Sequence, residues 1–338
     1  MQKLLYGIGA FIGLLIVVGL FLPRTGRFVV HADIDANPAT IFALINDMRR
    51  VELWSQAYKL DPNTRTRYSG PARGAGATVS WDGSIIGSGT QTIIESRPYE
   101  YLETVLNAGE SGESRTWFEL AGGNGQTRLN WGFEHDYSFN LVGRYMSLML
   151  TGIIRRDYER SLGNLKELAE SLPRTDFSDL QVERIRVEPQ QIAYLSTSSA
   201  PDATAMSEAL GAAYFEILNF MDANDLQLAG APLSISRSFS GAKLHFDAGI
   251  PVSGVTDQTA RNSSGVRIGL THGGNVLRVK HRGSYRKLNE SHRKIAAYLA
   301  ALGIERDGDS WESYVNDPTQ VAEDKLLTYL YYPVRDEP

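Results

Sequence analysis

The chain has 338 residues, a net charge of −5, 42% hydrophobic residues and no cysteine. At ordinary domain sizes this length implies two soluble units behind any N-terminal segment. The acidic balance, with no basic run and no zinc-knuckle spacing, excludes a nucleic-acid partner, and the missing cysteine excludes a lipoprotein anchor. Sixteen tyrosines and five tryptophans are side chains favoured where an apolar cavity must also offer hydrogen bonds.

Residues 4–22 read LLYGIGAFIGLLIVVGLFL, without a charge. At 1.5 Å per residue such a helix nearly matches the hydrocarbon core of a bilayer. The run is longer than a signal-peptide core and ends in Pro23-Arg24-Thr25-Gly26-Arg27, so an uncleaved single-pass transmembrane anchor is expected. Lys3 precedes the span and Arg24 and Arg27 follow it, so the positive-inside rule does not fix the orientation. From the short tail the body is expected in the periplasm of a bacterial inner membrane or its equivalent, with which the lack of cysteine is compatible. Gly9 and Gly13 form a GxxxG pair, which reads either as a seam through which two anchors pack as a homodimer or as the ordinary glycine of a membrane helix.

The body opens with an alternating strand over 28–34. Asn37-Pro38 starts a short helix carrying Ile41, Phe42, Leu44 and Ile45, with proline at the first helical position. A second short helical piece surrounds Val51 to Trp54. Strands follow near 65–69, 76–82, 87–96, 99–106, 115–121 and 126–135, separated by glycine-rich turns such as 108–112 and 122–125. Met146, Met149, Ile153, Tyr158, Leu162, Leu165, Ala169 and Leu172 then recur at helical spacing, predicting one long helix.

This order, with the opening Asn37-Pro38-Ala39-Thr40-Ile41-Phe42 and the following Leu53-Trp54-Ser55, resembles the START-like, or polyketide-cyclase (SRPBCC), superfamily over 27–172. The resemblance implies a helix-grip fold, in which a curled sheet holds the long helix around a deep apolar cavity. Leu129, Trp131, Phe133 and His135 alternate with Arg128, Asn130 and Glu134 and are expected to face that cavity, as are Val79 and Trp81. His135, at its strand's end, reads either as an acid/base group at the cavity mouth or as a hydrogen-bonded structural histidine.

Residues 173–180, beginning at Pro173, read as a linker. Over 181–334 one pattern occurs twice. Strands at 181–187 and 191–198, a helix at 204–224 and strands at 233–239 and 243–250 form the first half. After the polar connector 253–265, strands at 266–272 and 275–282, a helix at 285–302 and strands at 311–316 and 326–332 form the second. Two ββαββ halves imply a pseudo-two-fold with a ligand cleft on its axis.

Three ordered motifs carry a further resemblance. They are His281-Arg282-Gly283-Ser284-Tyr285, Glu312-Ser313-Tyr314-Val315-Asn316-Asp317-Pro318 and Leu326-Leu327-Thr328-Tyr329-Leu330-Tyr331-Tyr332-Pro333. Together they resemble the GyrI-like, or AraC-type effector-binding, family, with Ser284 in place of a usual proline and Tyr329 where an acid is common. The fold class expected is thus α+β, a helix-grip START-like unit and a duplicated GyrI-like unit behind one transmembrane helix.

On a strand Glu312 and Tyr314 share a face, as do Leu327, Tyr329 and Tyr331 on theirs. If those faces line the cleft, Glu312 is a carboxylate in an aromatic box, suited to hydrophobic cations. The resemblance also implies an alternative, hydrolysis of a reactive small molecule with Glu312 as general base and a tyrosine as donor. Otherwise Glu312 is a solvated edge-strand carboxylate. Tyr285 reads as a wedge between sheet and helix or a ligand contact, and Tyr194 as a second contact near the axis. No G-x-S-x-G elbow, P-loop or H-E-x-x-H motif is present, six histidines are scattered, and neither metal nor cofactor is expected.

The expected function is membrane-anchored capture of small hydrophobic molecules, as sensor or sink, weakened by replacing Glu312 or Trp131. The competing readings are an enzyme and a protein-interaction module of the gyrase-inhibitor kind, which would need a cytoplasmic body.

Overall fold

The computed structural model describes residues 2–109, 112–256 and 265–335. The tip of the 108–112 turn and most of the 253–265 connector lie outside them. Two compact units are formed, Met1–Ser178 with Ala300–Leu302 and Asp179–Leu299 with Gly303–Pro338. Each is mixed α+β and carries its own sheet.

In the first unit helix α1 spans Gln2–Phe21. Its apolar side chains, among them Leu4, Phe11, Leu14 and Phe21, are exposed. The side chains of Gln2, Lys3 and Leu5 lie outside the described set. Among the described residues no helix is long and apolar enough to cross a membrane. The transmembrane span expected over 4–22 is therefore not shown; a helix with outward-facing apolar side chains stands in its place.

The alternating residues behind it form β1 (Thr25–Ile34), β2 (Arg65–Ser69), β3 (Thr78–Gly83), β4 (Gly87–Arg97), β5 (Tyr101–Ala108), β6 (Glu113–Gly123) and β7 (Gln126–Asp136). They make one antiparallel sheet in the order β1-β7-β6-β5-β4-β3-β2. Between β1 and β2 lie α2 (Pro38–Ile45), a single 3₁₀ turn at Val51–Leu53 and α3 (Gln56–Leu60). Helix α4 runs from Leu141 to Ser171, with the Asn140 side chain accepting from the Gly143 N–H at its start. Its second half buries Leu162, Leu165 and Ala169 against the sheet.

The second unit contains β8 (Val182–Val187), β9 (Gln191–Ser199), α5 (Ala203–Ala223), β10 (Gln227–Leu228), β11 (Leu233–Ser240), β12 (Lys243–Ser253), β13 (Arg267–Leu270), β14 (Gly274–Arg282), α6 (Leu288–Leu302), β15 (Trp311–Tyr314) and β16 (Leu327–Pro333). The sheet order is β13-β9-β12-β11-β15-β16-β14-β8, with the short β10 beside β12. From the centre outward, β11-β12-β9 mirrors β15-β16-β14, and each half's first strand pairs with the other half. The expected duplication is present, and its axis passes between β11 and β15.

Both long helices of this unit lie on one face of the sheet. Leu210, Ala213, Ile217 and Phe220 of α5 recur at helical steps and pack on Ala193, Phe246, Ala248 and Ile250. On α6, Leu288, Ile295 and Leu299 do the same against Leu277, Val279, Leu330 and Tyr332. The opposite face carries a separate cluster of Ile192, Leu233, Ile235, Val276 and Trp311.

Candidate functional site

Glu312 lies on β15, next to the pseudo-two-fold, where it faces Ser234 of β11 and Leu330 of β16. Directly paired residues in an antiparallel sheet share a face, and Leu330 belongs to the cluster under α6. Glu312 and Tyr314 therefore point into the space between sheet and helices. A cleft of about 1110 Å³ opens there. Its walls include Met206, Leu210 and Tyr214 of α5, Leu288 and His292 of α6, and Tyr285 before α6.

The Glu312 side chain is only 13% exposed. Its Oε1 accepts from His292 Nε2 at 2.7 Å and its Oε2 from the Tyr314 hydroxyl at 2.5 Å. With the proton on Nε2, His292 Nδ1 accepts from the Tyr332 hydroxyl at 2.5 Å. Tyr214 donates to the Leu233 carbonyl at 2.9 Å, and the Tyr285 and Tyr314 rings meet edge to face at 5.4 Å. Burial pushes the Tyr314 hydroxyl well above its ordinary pKa, and the neighbouring Glu312 charge raises it further. Tyr214 is raised by the same two causes, burial first, and burial takes Tyr332 up to about 12. All three hydroxyls remain donors throughout the physiological range.

The sequence motifs divide between site and scaffold. Glu312 and Tyr314 enter the cleft, and Asn316 and Asp317, also on its wall, shape the turn that follows, Asn316 accepting from the Leu327 N–H and Asp317 from the Thr319 N–H. In the 281–285 motif His281 bridges Ser291 on α6 and the Ser284 carbonyl. Gly283 sits at φ +120°, which a residue with a Cβ rarely adopts.

Three expected ligand residues lie elsewhere. Tyr329 and Tyr331 pair with Ser313 and Trp311 across β15 and so share their face, opposite to that of Glu312. Tyr331 stacks on Trp311 at 4.8 Å, and the Arg278 guanidinium lies 5.0 Å over Tyr329. Tyr194 packs against the same far-side cluster. The register decides this: a strand whose Leu330 faces the helices turns 329 and 331 away. Replacing Tyr194 or Tyr329 by phenylalanine is expected to leave cleft binding unchanged, as titration of any bound probe will show.

Two cleft residues escape the sequence pattern. His292 stands four residues after Leu288 and three before Ile295, on the buried stripe of α6, and Tyr214 stands four after Leu210 on α5. A polar or half-polar side chain in an apolar stripe is the available signal. Among the described residues no three histidine, aspartate or glutamate side chains gather as a metal site.

In the first unit the inward alternation of β7 holds, but the space it faces is occupied. Trp131 stacks on Tyr158 at 4.0 Å and Phe118 at 4.9 Å, and meets Trp54 at 5.5 Å. Its Nε1 donates to Thr116 at 2.6 Å. Trp131 is thus packed among core rings, with Tyr158 of α4 stacked on it. Trp81 lies across Gly89, where an added Cβ would meet its ring at 2.3 Å.

His135 is buried, with Nδ1 2.8 Å from the Ser114 hydroxyl and its ring against Tyr137. Burial lowers its pKa. The unfolded chain therefore binds a proton that the folded one resists, and stability falls as pH drops below about 6.5. Urea unfolding midpoints at pH 5 and 7 are expected to differ less in His135→Gln than in the parent.

Residues 180–335 match the family model described as GyrI-like small molecule binding domain, and residues 25–170 match polyketide cyclase / dehydrase and lipid transport. Among solved structures, the EcmrR C-terminal domain is similar at 13% identity, over 47% of this chain and 99% of that one, with a TM-score of 0.41. A hydrolase from Listeria innocua is similar at 17% identity, over 46% and 92%, with a TM-score of 0.34. The Aha1 dimer from Colwellia psychrerythraea is similar at 16% identity, over 43% and 96%, with a TM-score of 0.32. No curated protein sequence matches the chain.

Proposed function

We propose that this chain is a membrane-attached small-molecule binder. Its ligand site is the cleft of the second unit, and the ligand is a hydrophobic compound that presents a cationic or hydrogen-bond-donating group to Glu312. The observation that carries the reading is a carboxylate withdrawn from water at the floor of a cleft of about 1110 Å³, ringed by Tyr214, Tyr285 and Tyr314. A carboxylate in such a place needs partners; His292 and Tyr314 supply two, and a cationic group in the cleft would add a third beside aromatic side chains. The GyrI-like match supports small-molecule binding as the general class.

The alternative, a hydrolase with Glu312 as general base, is less well served. Both carboxylate oxygens already accept a hydrogen bond, from His292 and Tyr314, so a water to be activated would have to compete with them for the carboxylate. In the first unit Trp54, Phe118, Trp131 and Tyr158 pack on one another, and the ligand site proposed is the cleft of the second unit.

Helix α1 supplies the attachment. Its described side chains carry no charge and its large apolar ones are exposed, a pattern suited to lipid rather than water. The lack of cysteine fits placement of the remainder in an oxidising compartment, the periplasm. A topology reporter fused after Pro338 tests that placement.

Native mass spectrometry of the full chain in detergent, after incubation with a host lipid and metabolite extract, tests the binding. A retained species of unchanged mass is expected. Conversion of an extract component to a new product mass, lost in Glu312→Gln, would replace the binder with the hydrolase.

A further inference from the structure

We infer that the first half of α4 is a second lipid-contacting element, seated in the bilayer interface beside α1. The first unit then meets the membrane with two helices instead of hanging from one. The inference rests on the reading of α1 as the membrane attachment and goes beyond it.

Between Phe139 and Ile154 the single charged residue is Arg144. Phe139 is 82% exposed, Val142 73% and Met149 71%, with Met146, Leu148 and Ile153 exposed as well. From Arg155 onward the same helix reads RRDYERSLGNLKELAE, the charged pattern of a water-facing surface. The change falls within one continuous helix, so it marks two surroundings rather than two folds. A run of exposed apolar side chains of this extent signals an interaction surface.

The polar groups beneath that surface are satisfied from within. Arg144 is buried, and its Nη1 donates to the carbonyls of Gly19 and Leu20 at 3.2 Å and of Leu22 at 3.4 Å. Its Nε and Nη2 donate to the Ser138 carbonyl. The carbonyls that end a helix lack intrahelical donors. Water would supply them at an exposed end, whereas a lipid environment requires an internal donor. Tyr145 likewise donates to the Leu15 carbonyl at 2.7 Å, and Ser147 to the Arg144 carbonyl at 2.7 Å.

Charge complementarity and continuity select the occupant. Arg24 and Arg27 follow α1, and Arg155 and Arg156 follow the apolar half of α4, all four exposed, with Arg27 also paired to Glu134 and Arg155 to Glu159. Basic side chains bordering an apolar surface match anionic lipid headgroups. The apolar surface of α4 is also continuous with that of α1, since Tyr145 and Leu141 lie against Gly19.

The natural absence of cysteine allows unambiguous single labels. Full-length chains carrying Met149→Cys, Phe11→Cys or Glu167→Cys, each bearing an environment-sensitive fluorophore, are reconstituted in phosphatidylcholine/phosphatidylglycerol vesicles. The labels at 149 and 11 are expected to lose most of their emission to lipid-borne quenchers and little to iodide, and the label at 167 the reverse. A label at 11 in lipid with one at 149 open to iodide would overturn the inference and leave α1 as the attachment. Both labels open to iodide would overturn both readings. A label at 149 shielded from iodide and from the lipid quenchers alike would overturn the inference by assigning the surface to a second copy or another protein.

Discussion

Glu312→Gln is expected to weaken binding of a lipophilic cation in the second unit's cleft by about 10- to 100-fold, corresponding to the ~1.5–3 kcal/mol of a hydrogen bond or contact to a charged group. Glutamine keeps the volume and one carbonyl acceptor, so packing against Tyr314 is preserved while the charge is lost. Affinity for a neutral compound of the same shape should change far less, because the apolar walls formed by Met206, Leu210 and Leu288 are untouched. Fluorescence titration with a matched pair, one quaternary ammonium and one tert-butyl analogue, separates the two effects. Equal losses for both would mean that Glu312 shapes the cleft without recognising charge. His292→Asn should have the opposite sign, since it removes the internal donor that competes with a cation for Oε1.

The pairing of Glu312 with Tyr314 is legible in the sequence because two alternate residues on one strand must share a face. Which face it is cannot be read from either strand alone. Tyr329 and Tyr331 form an equally good pair by alternation, and they point away because Leu330, not Tyr331, stands opposite Glu312. Register is a property of two strands, and that of β15 with β16 joins segments separated by a turn. His292 is out of reach for a similar reason: its partners Glu312 and Tyr332 lie 20 and 40 residues away. The elements themselves are more accessible. Alternation locates every strand of the first sheet to within a few residues, while α3, barely one turn long, is too short for periodicity to register.

Trp131→Ala is expected to destabilise the first unit by about 3–5 kcal/mol without altering binding in the second. The side chain is 6% exposed, contacts Tyr158, Phe118 and Trp54, and commits its indole N–H to Thr116. Removing it opens a void among rigid rings that cannot easily close, and leaves the Thr116 hydroxyl without its donor. For a unit of this size the midpoint should fall by about 6–20 °C. Calorimetry of the full chain should show the loss confined to one transition, because each unit has its own core. The result also decides between two roles for the residue. A cavity wall truncated to alanine would enlarge the cavity, change ligand preference and leave the transition nearly in place, whereas a keystone among packed rings moves the transition and leaves the cleft beside Glu312 as it was.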